Sequence, residues 1–174
     1  MRLRKLEEKD ALLMLEWMHD DSVLHFMHAD FASKTIDDCM NFITTTQDES
    51  ENLHLAIVDY NDEYTGTVSL KKIHDGLAEF AITIRKRAMG KGYSLFGKKE
   101  IIKKGKTMSL DHIFWCVSKE NKRAIRLYDK NGYSRIEPSE NFRGVTQRRK
   151  SLACFGIWYR ISCAPAFLHG GWLT

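Results

Sequence analysis

Cysteine is scarce in this chain: Cys39, Cys116, Cys154 and Cys163 lie far apart, and no two form a C-x-x-C pair. Such spacing offers neither a disulfide framework nor a zinc site, and a reducing cytoplasm is the simpler setting. The seven histidines make no H-x-x-x-H or H-E-x-x-H arrangement, so no metal is expected. No apolar run is long enough to span a bilayer. No leader-like segment precedes the first element, because Met1 to Leu6 already alternates like a strand. Repeats, low-complexity tracts and linkers are absent. A large charge excess is missing too: the net charge is +4, spread along the chain. That does not call for nucleic acid, but it suits an anionic ligand. What is there is ordinary for a globular protein, with 43% hydrophobic and 29% charged residues. The 174 residues fit one domain, expected over 1–161, followed by an apolar tail over 162–174. The tail either docks on that domain or buries itself in a second copy of the chain, giving a homodimer.

Hydrophobic periodicity predicts a strand over Arg2–Leu6 and a helix over Asp10–His19, with Leu12, Leu15, Trp17 and Met18 turned inward. Thr35-x-x-Asp38 reads as a capping box opening a second helix, whose stripe is Ile36, Cys39, Met40 and Ile43. Leu53–Tyr60, Tyr64–Ile73 and Leu77–Arg85 read as a meander, turned at Asn61-Asp62 and Asp75-Gly76. A helix follows from Tyr93 to about Lys104, stopped by Gly105, then a strand over Asp111–Val117 and a helix over Asn121–Lys130 stopped by Gly132. Pro138–Gln147 reads as a loop, and Lys150–Ile161 as a last strand beside one starting at Tyr133. Cys116 is expected to be a buried structural thiol.

Chemistry concentrates between Phe80 and Ser94. A short β-branched strand runs into Arg85-Lys86-Arg87-Ala88-Met89-Gly90-Lys91-Gly92, and a helix begins at Tyr93. Glycines let a backbone approach an anion, and the first amides of a helix lack internal partners. Arg85, Lys86, Arg87 and Lys91 add positive charge, so a phosphorylated ligand is expected here. Gly92-x-x-x-x-Gly97-Lys98 also has P-loop spacing. Lys99 stands where a magnesium-binding hydroxyl belongs, however, and Leu95 and Phe96 look like helix and core residues.

Two patterns occur in order: Arg87-x-x-Gly90-x-Gly92, and Asn121-x-x-Ala124-x-x-x-Tyr128-x-x-x-Gly132-Tyr133. Together they resemble the two signatures of the GCN5-related N-acetyltransferases, with Tyr133 in place of the usual Phe. The start of the chain, with Trp17, looks like the branch that includes ribosomal-protein N-terminal acetyltransferases (RimJ/RimL-like) and many small-molecule and amino-sugar acetyltransferases. The resemblance implies an α+β fold, an α/β/α sandwich around a mostly antiparallel, twisted sheet with a splayed central strand pair. It implies acetyl-CoA as co-substrate, in the cytoplasm, and a small-molecule amine or a peptide amine as acceptor. Backbone groups of Ile82 and Ile84 would meet the pantetheine arm. Amides from Arg87 through Gly90, Lys91, Gly92, Tyr93 and Ser94 would bind the pyrophosphate, and Asn121 would contact the cofactor. Tyr128 takes the place of the general acid.

Glu79, just before the cofactor-bordering part of its strand, is the candidate base, directly or through water; a solvated strand-edge carboxylate is the competing reading. Trp17, Phe26 and Met27 are candidates for the acceptor pocket, with His25 and His28 nearby. Alternatives from other classes are a CoA-binding module without turnover and a P-loop nucleotide hydrolase.

Overall fold

The computed structural model describes residues 1–27, 29–46, 51–137 and 156–163. Seven strands, β1 (Arg2–Lys5), β2 (Asn52–Val58), β3 (Tyr64–His74), β4 (Leu77–Ile84), β5 (His112–Ser118), β6 (Ser134–Ile136) and β7 (Gly156–Ser162), form one sheet in the order β1-β2-β3-β4-β5-β7-β6. Every neighbouring pair is antiparallel except β4 and β5. The helices are α1 (Ala11–Met18), α2 (Asp21–Leu24), α3 (Ile36–Thr45), α4 (Tyr93–Thr107) and α5 (Lys122–Lys130).

Strand alternation sends consecutive side chains to opposite faces. Leu53, Leu55 and Ile57 of β2 pack with Ile101 and Ile102 of α4 and Ile125 of α5. Their neighbours Ala56 and Val58 pack instead with Met14, Trp17 and Met18 of α1 and with Cys39 and Ile43 of α3. Helices therefore cover both faces, in two apolar clusters, as expected for an α/β/α sandwich. A bulge where β2 and β3 shift register between Ile57 and Val58 turns Tyr64 toward α1. There its hydroxyl accepts from Trp17 Nε1 at 3.1 Å and shares a hydrogen bond with Thr67 at 2.7 Å.

The capping box forms as expected, with Thr35 accepting from the Asp38 amide and Asp38 from the Thr35 amide. The meander and the left-handed Gly132 (φ 73°) also form. Four expectations need correction. Leu12 is 70% exposed, because α1 turns Ala11, Met14, Trp17 and Met18 to the core instead. Gly105 does not stop its helix, which runs on to Thr107. It is a packing glycine, since a Cβ there would come within 2.7 Å of Ile113. Cys116 is exposed rather than buried, on the β5 face that points away from α4 and α5. Arg85 is taken up below. The expected loop over 138–147, the first part of the last strand, His28 and most of the tail lie outside the described residues.

Gly66 on β3 is pressed against the neighbouring strand: a Cβ would meet the Thr83 carbonyl oxygen at 2.2 Å and Ile84 Cα at 3.1 Å. Both obstacles are backbone, so β3 and β4 would have to part. Gly66→Ala is expected to destabilise the fold by about 2–3 kcal/mol. A thermal melt should then show Tm lower by about 5–10 °C.

Candidate active site

The parallel β4–β5 pairing is short. It joins Leu77, Ala78 and Glu79 to His112, Ile113 and Phe114, and then the strands diverge. Past Glu79, β4 stays paired with β3 as far as Ile84, so its other edge borders a gap. The Arg85 amide donates to Thr65 of β3 at 2.9 Å. Alternation then turns the N–H and C=O groups of Ile84, Ile82 and Phe80 toward the gap. An extended amide-bearing chain can pair there as a short extra strand.

At the end of β4 the chain makes a turn of 3₁₀ helix over Lys86–Ala88 and enters the glycine loop. Gly90 and Gly92 have φ of 81° and 87°, conformations that side chains with a Cβ resist. Gly92 caps α4, whose first bond runs from the Phe96 amide to the Gly92 carbonyl at 3.0 Å. The amides of Tyr93, Ser94 and Leu95 thus precede the first helical bond and are open to an anion. Beyond the flanking residues, no atom of the described residues lies within 4 Å of where a Cβ would stand at Gly90 or Gly92, so the backbone is open to approach. Arg87 and Lys91 are exposed beside the loop.

Arg85 does not join that positive field. It is 4% exposed and folded back under the sheet, where Nη2 donates to Glu16 of α1 at 2.7 Å. Its Nη1 donates to Glu63 at 2.8 Å and to the Tyr64 carbonyl at 2.9 Å. Among three consecutive basic residues, strand alternation selects the one that faces inward.

The second motif lies close to the first. Asn121 caps α5, its Oδ1 accepting from the Ala124 amide at 3.0 Å, which leaves the side-chain NH₂ group to donate elsewhere. Two residues on, Arg123 reaches Met89 of the loop, Nη1 to Sδ at 3.6 Å. Tyr128, 6% exposed, points back under the diverging strands and joins a cluster of rings. Its ring centroid lies 5.3 Å from Trp115, 5.2 Å from Tyr159 and 6.1 Å from Tyr133. Burial, and then the neighbouring phenols Tyr133 and Tyr159, push the Tyr128 hydroxyl well above the usual phenol range. It is therefore a protonated donor at neutral pH.

Glu79 stands at the last paired position before the strands part, on the opposite face from Phe80 and therefore from Tyr128. Lys72 lies 3.3 Å and Lys71 3.8 Å from its carboxylate. The same face carries His54, whose Nδ1 shares a hydrogen bond with Ser69 Oγ at 2.7 Å. Burial, then Lys71, push that imidazole down to about 4. Of the acceptor-pocket candidates, Trp17 is enclosed in the α1 cluster and meets Phe31 edge to face at 5.1 Å. Met27 is half-buried against that cluster, and half-buried Phe26 meets His25 at 4.6 Å.

Sequence reading passed over Lys98 except as part of a P-loop. Gly97 and Lys98 lie buried inside α4, not in a loop, so that spacing has no phosphate-binding geometry. The signal was helical periodicity, because Lys98 falls three and four residues before the core residues Ile101 and Ile102. His54 carried no such signal, since its partner Ser69 comes from the next strand. Among the described residues no group of three His, Cys, Asp or Glu side chains could hold a metal, and no helix is long and apolar enough to cross a membrane.

Comparison with solved structures gives the same architecture. A spermidine N-acetyltransferase SpeG chimera from Vibrio cholerae and hSSAT superposes with a TM-score of 0.73 at 20% identity, covering 93% of this chain and 95% of the other. The spermidine N-acetyltransferase of Vibrio cholerae in complex with CoA and spermine gives 0.71 at 18% identity, covering 91% and 92%. The PaiA N-acetyltransferase of Thermoplasma acidophilum in complex with coenzyme A gives 0.67 at 16% identity, covering 92% and 98%. No curated protein sequence matches the chain. The sequence model of the acetyltransferase (GNAT) domain matches residues 1–134 and so takes in β1 through the start of β6, with both motifs. This chain belongs to the GNAT acetyltransferase family.

Proposed function

We propose that the chain moves the acetyl group of acetyl-CoA to a primary amine of a small molecule by direct attack. The observation that carries this reading is the placement of Glu79 and Tyr128 on opposite faces of the sheet where β4 and β5 part. A thioester carbonyl seated in the gap would have a carboxylate on the side the amine enters and a phenol on the side the thiol leaves. Glu79, directly or through water, takes a proton from the incoming amine. The amine lone pair forms the C–N bond, and the C–S bond breaks with its electrons on sulfur. Tyr128 gives sulfur its proton. A backbone N–H on the free edge of β4, such as that of Ile82, supports the charge on the carbonyl oxygen. Fixing both reactants across one gap supplies much of the remaining acceleration.

The pyrophosphate would lie on the amides from Arg87 through Ser94, with Asn121 donating to the cofactor from the cap of α5. The acceptor side is lined by α1 and the turn holding Phe26 and Met27. The structural neighbours that act on spermidine or hold spermine support a small amine, polyamines and amino sugars included, over a protein N-terminus. The test is thiol release from acetyl-CoA against a panel of polyamines, amino sugars, aminoglycosides and N-terminal peptides. Faster release with a small amine, and formation of its N-acetyl product, is the expected result. Release driven only by peptides would move the acceptor class, and binding of CoA without transfer to any amine would leave a binding module.

A further inference from the structure

Lys98 carries its amine into the core. It is 2% exposed, and Nζ has no hydrogen-bond partner among the described residues. Four rings surround it: Nζ lies 3.0 Å from the ring centroid of Trp115, 3.8 Å from Tyr133, 3.9 Å from Tyr128 and 4.8 Å from Phe80. These rings come from β4, β5, α5 and the turn after α5, so the cage closes directly beneath the point where β4 and β5 diverge. Packing gives no reason for an amine here. A methionine would fill similar space without the cost of desolvating an unpaired polar group. The cage wall that matters chemically is the ring of Tyr128.

We propose that Lys98 is a positioning residue for acyl transfer, an amine held against the face of Tyr128 that offsets the negative charge left on the phenol when it donates. The proposal rests on the reading of Tyr128 as general acid. When Tyr128 gives its proton to sulfur, its oxygen keeps the electron pair and becomes a phenolate in a site that water barely reaches. An ammonium on the same ring makes the pair neutral overall, and opposite charges so close attract strongly at low dielectric. A proton from solvent charges Lys98 as the phenolate forms and then restores the phenol, while one shed by the acceptor amine returns to solvent, so no further reactant is consumed.

Among the described residues, the titratable groups facing Nζ are all phenols: Tyr128 from α5, Tyr133 after it, and Tyr159 of β7 next to Tyr128; β4 and β5 contribute Phe80 and Trp115. Asp129 is bonded to Arg135 and Tyr159 instead. With no carboxylate to hold its charge, burial brings Lys98 from 10.5 down to about 6. In the resting site at neutral pH it is therefore mostly an amine, and it gains its charge when the phenolate appears.

Lys98→Met separates this role from a structural one by the sign of the change in Tm, which loss of a structural side chain would lower. Removing a buried unpaired amine should raise Tm. It should also remove a pH dependence: the unfolded chain binds this proton up to about 10.5 and the folded chain only up to about 6. Stability of the parent should therefore climb as pH rises between those values, and that of the variant should not follow. The expected kinetics are a fall in kcat of at least about tenfold with the KM for acetyl-CoA unchanged. Lys98→Met combined with Tyr128→Phe should be no slower than Tyr128→Phe alone. A parent-like kcat in Lys98→Met, or a lower Tm together with the lower kcat, overturns the inference while leaving Tyr128 in place. A parent-like kcat in Tyr128→Phe overturns the general-acid reading beneath it.

Discussion

Tyr128→Phe should cost about 100-fold or more in kcat, in the range ascribed to a positioned proton donor, while the KM for acetyl-CoA stays close to that of the parent. The substitution removes one oxygen and keeps the ring, so the contacts with Trp115, Tyr133 and Tyr159 and the wall of the Lys98 cage survive. Stability should change little, which separates loss of chemistry from loss of fold. The direction of the rate effect follows from burial. A phenol held above its ordinary range by desolvation is fully protonated at working pH, and in the proposed reaction the thiolate would take its proton. Steady-state thiol release at saturating amine, with a thermal melt on the same samples, is the measurement. An unchanged kcat would mean that water or the acceptor itself protonates sulfur.

Gly92→Val should give the reverse pattern: the KM for acetyl-CoA raised by about 10- to 100-fold, with kcat at saturation near that of the parent. Gly92 has φ 87° at the cap of α4. A left-handed conformation costs an L-residue about 1–2 kcal/mol, and a β-branched residue sits there least easily. The loop would relieve that strain by turning the amides of Tyr93 and Ser94 away from their common focus. Hydrogen bonds to a charged group are worth about 1.5–3 kcal/mol each, so losing one accounts for the upper end of the effect. Nothing stands within 4 Å of the new Cβ position, so a steric clash does not explain the loss. Titration with CoA and with desulfo-CoA, which share the diphosphate, should show the same weakening. If Gly92→Val binds CoA like the parent, the diphosphate does not lie on this loop. The two variants together separate holding the donor from breaking its thioester.

Elements whose signals are local could be read without coordinates. Thr35 and Asp38 cap each other within one helical turn, Gly132 needs only its own φ, and the meander is a run of alternating strands. The glycine loop and the Asn121–Tyr133 pattern were legible for the same reason, each being a contiguous stretch. Misreadings arose where the deciding partner was distant in sequence. Leu12 looks like a core residue until Met14 and Trp17 fix which face of α1 meets the sheet. Gly105 reads as a stop until Ile113 is brought against it by β5. Arg85 appears to belong with Lys86 and Arg87 until Glu16, sixty-nine residues earlier, claims it. Lys98 needed four rings from four separate segments, and no spacing rule encodes such a meeting.

The Arg85 fork has a consequence for anyone redesigning this enzyme. One guanidinium fastens the first long helix, the hairpin between the second and third strands, and the residue from which the glycine loop departs. Swapping in the first helices of a relative would therefore disturb the glycine loop as well, unless the transplant carries an acid where Glu16 stands. On the proposed assignment of the two sites, acceptor choice and donor grip are mechanically yoked, and a chimera that respects that joint should be the one that turns over.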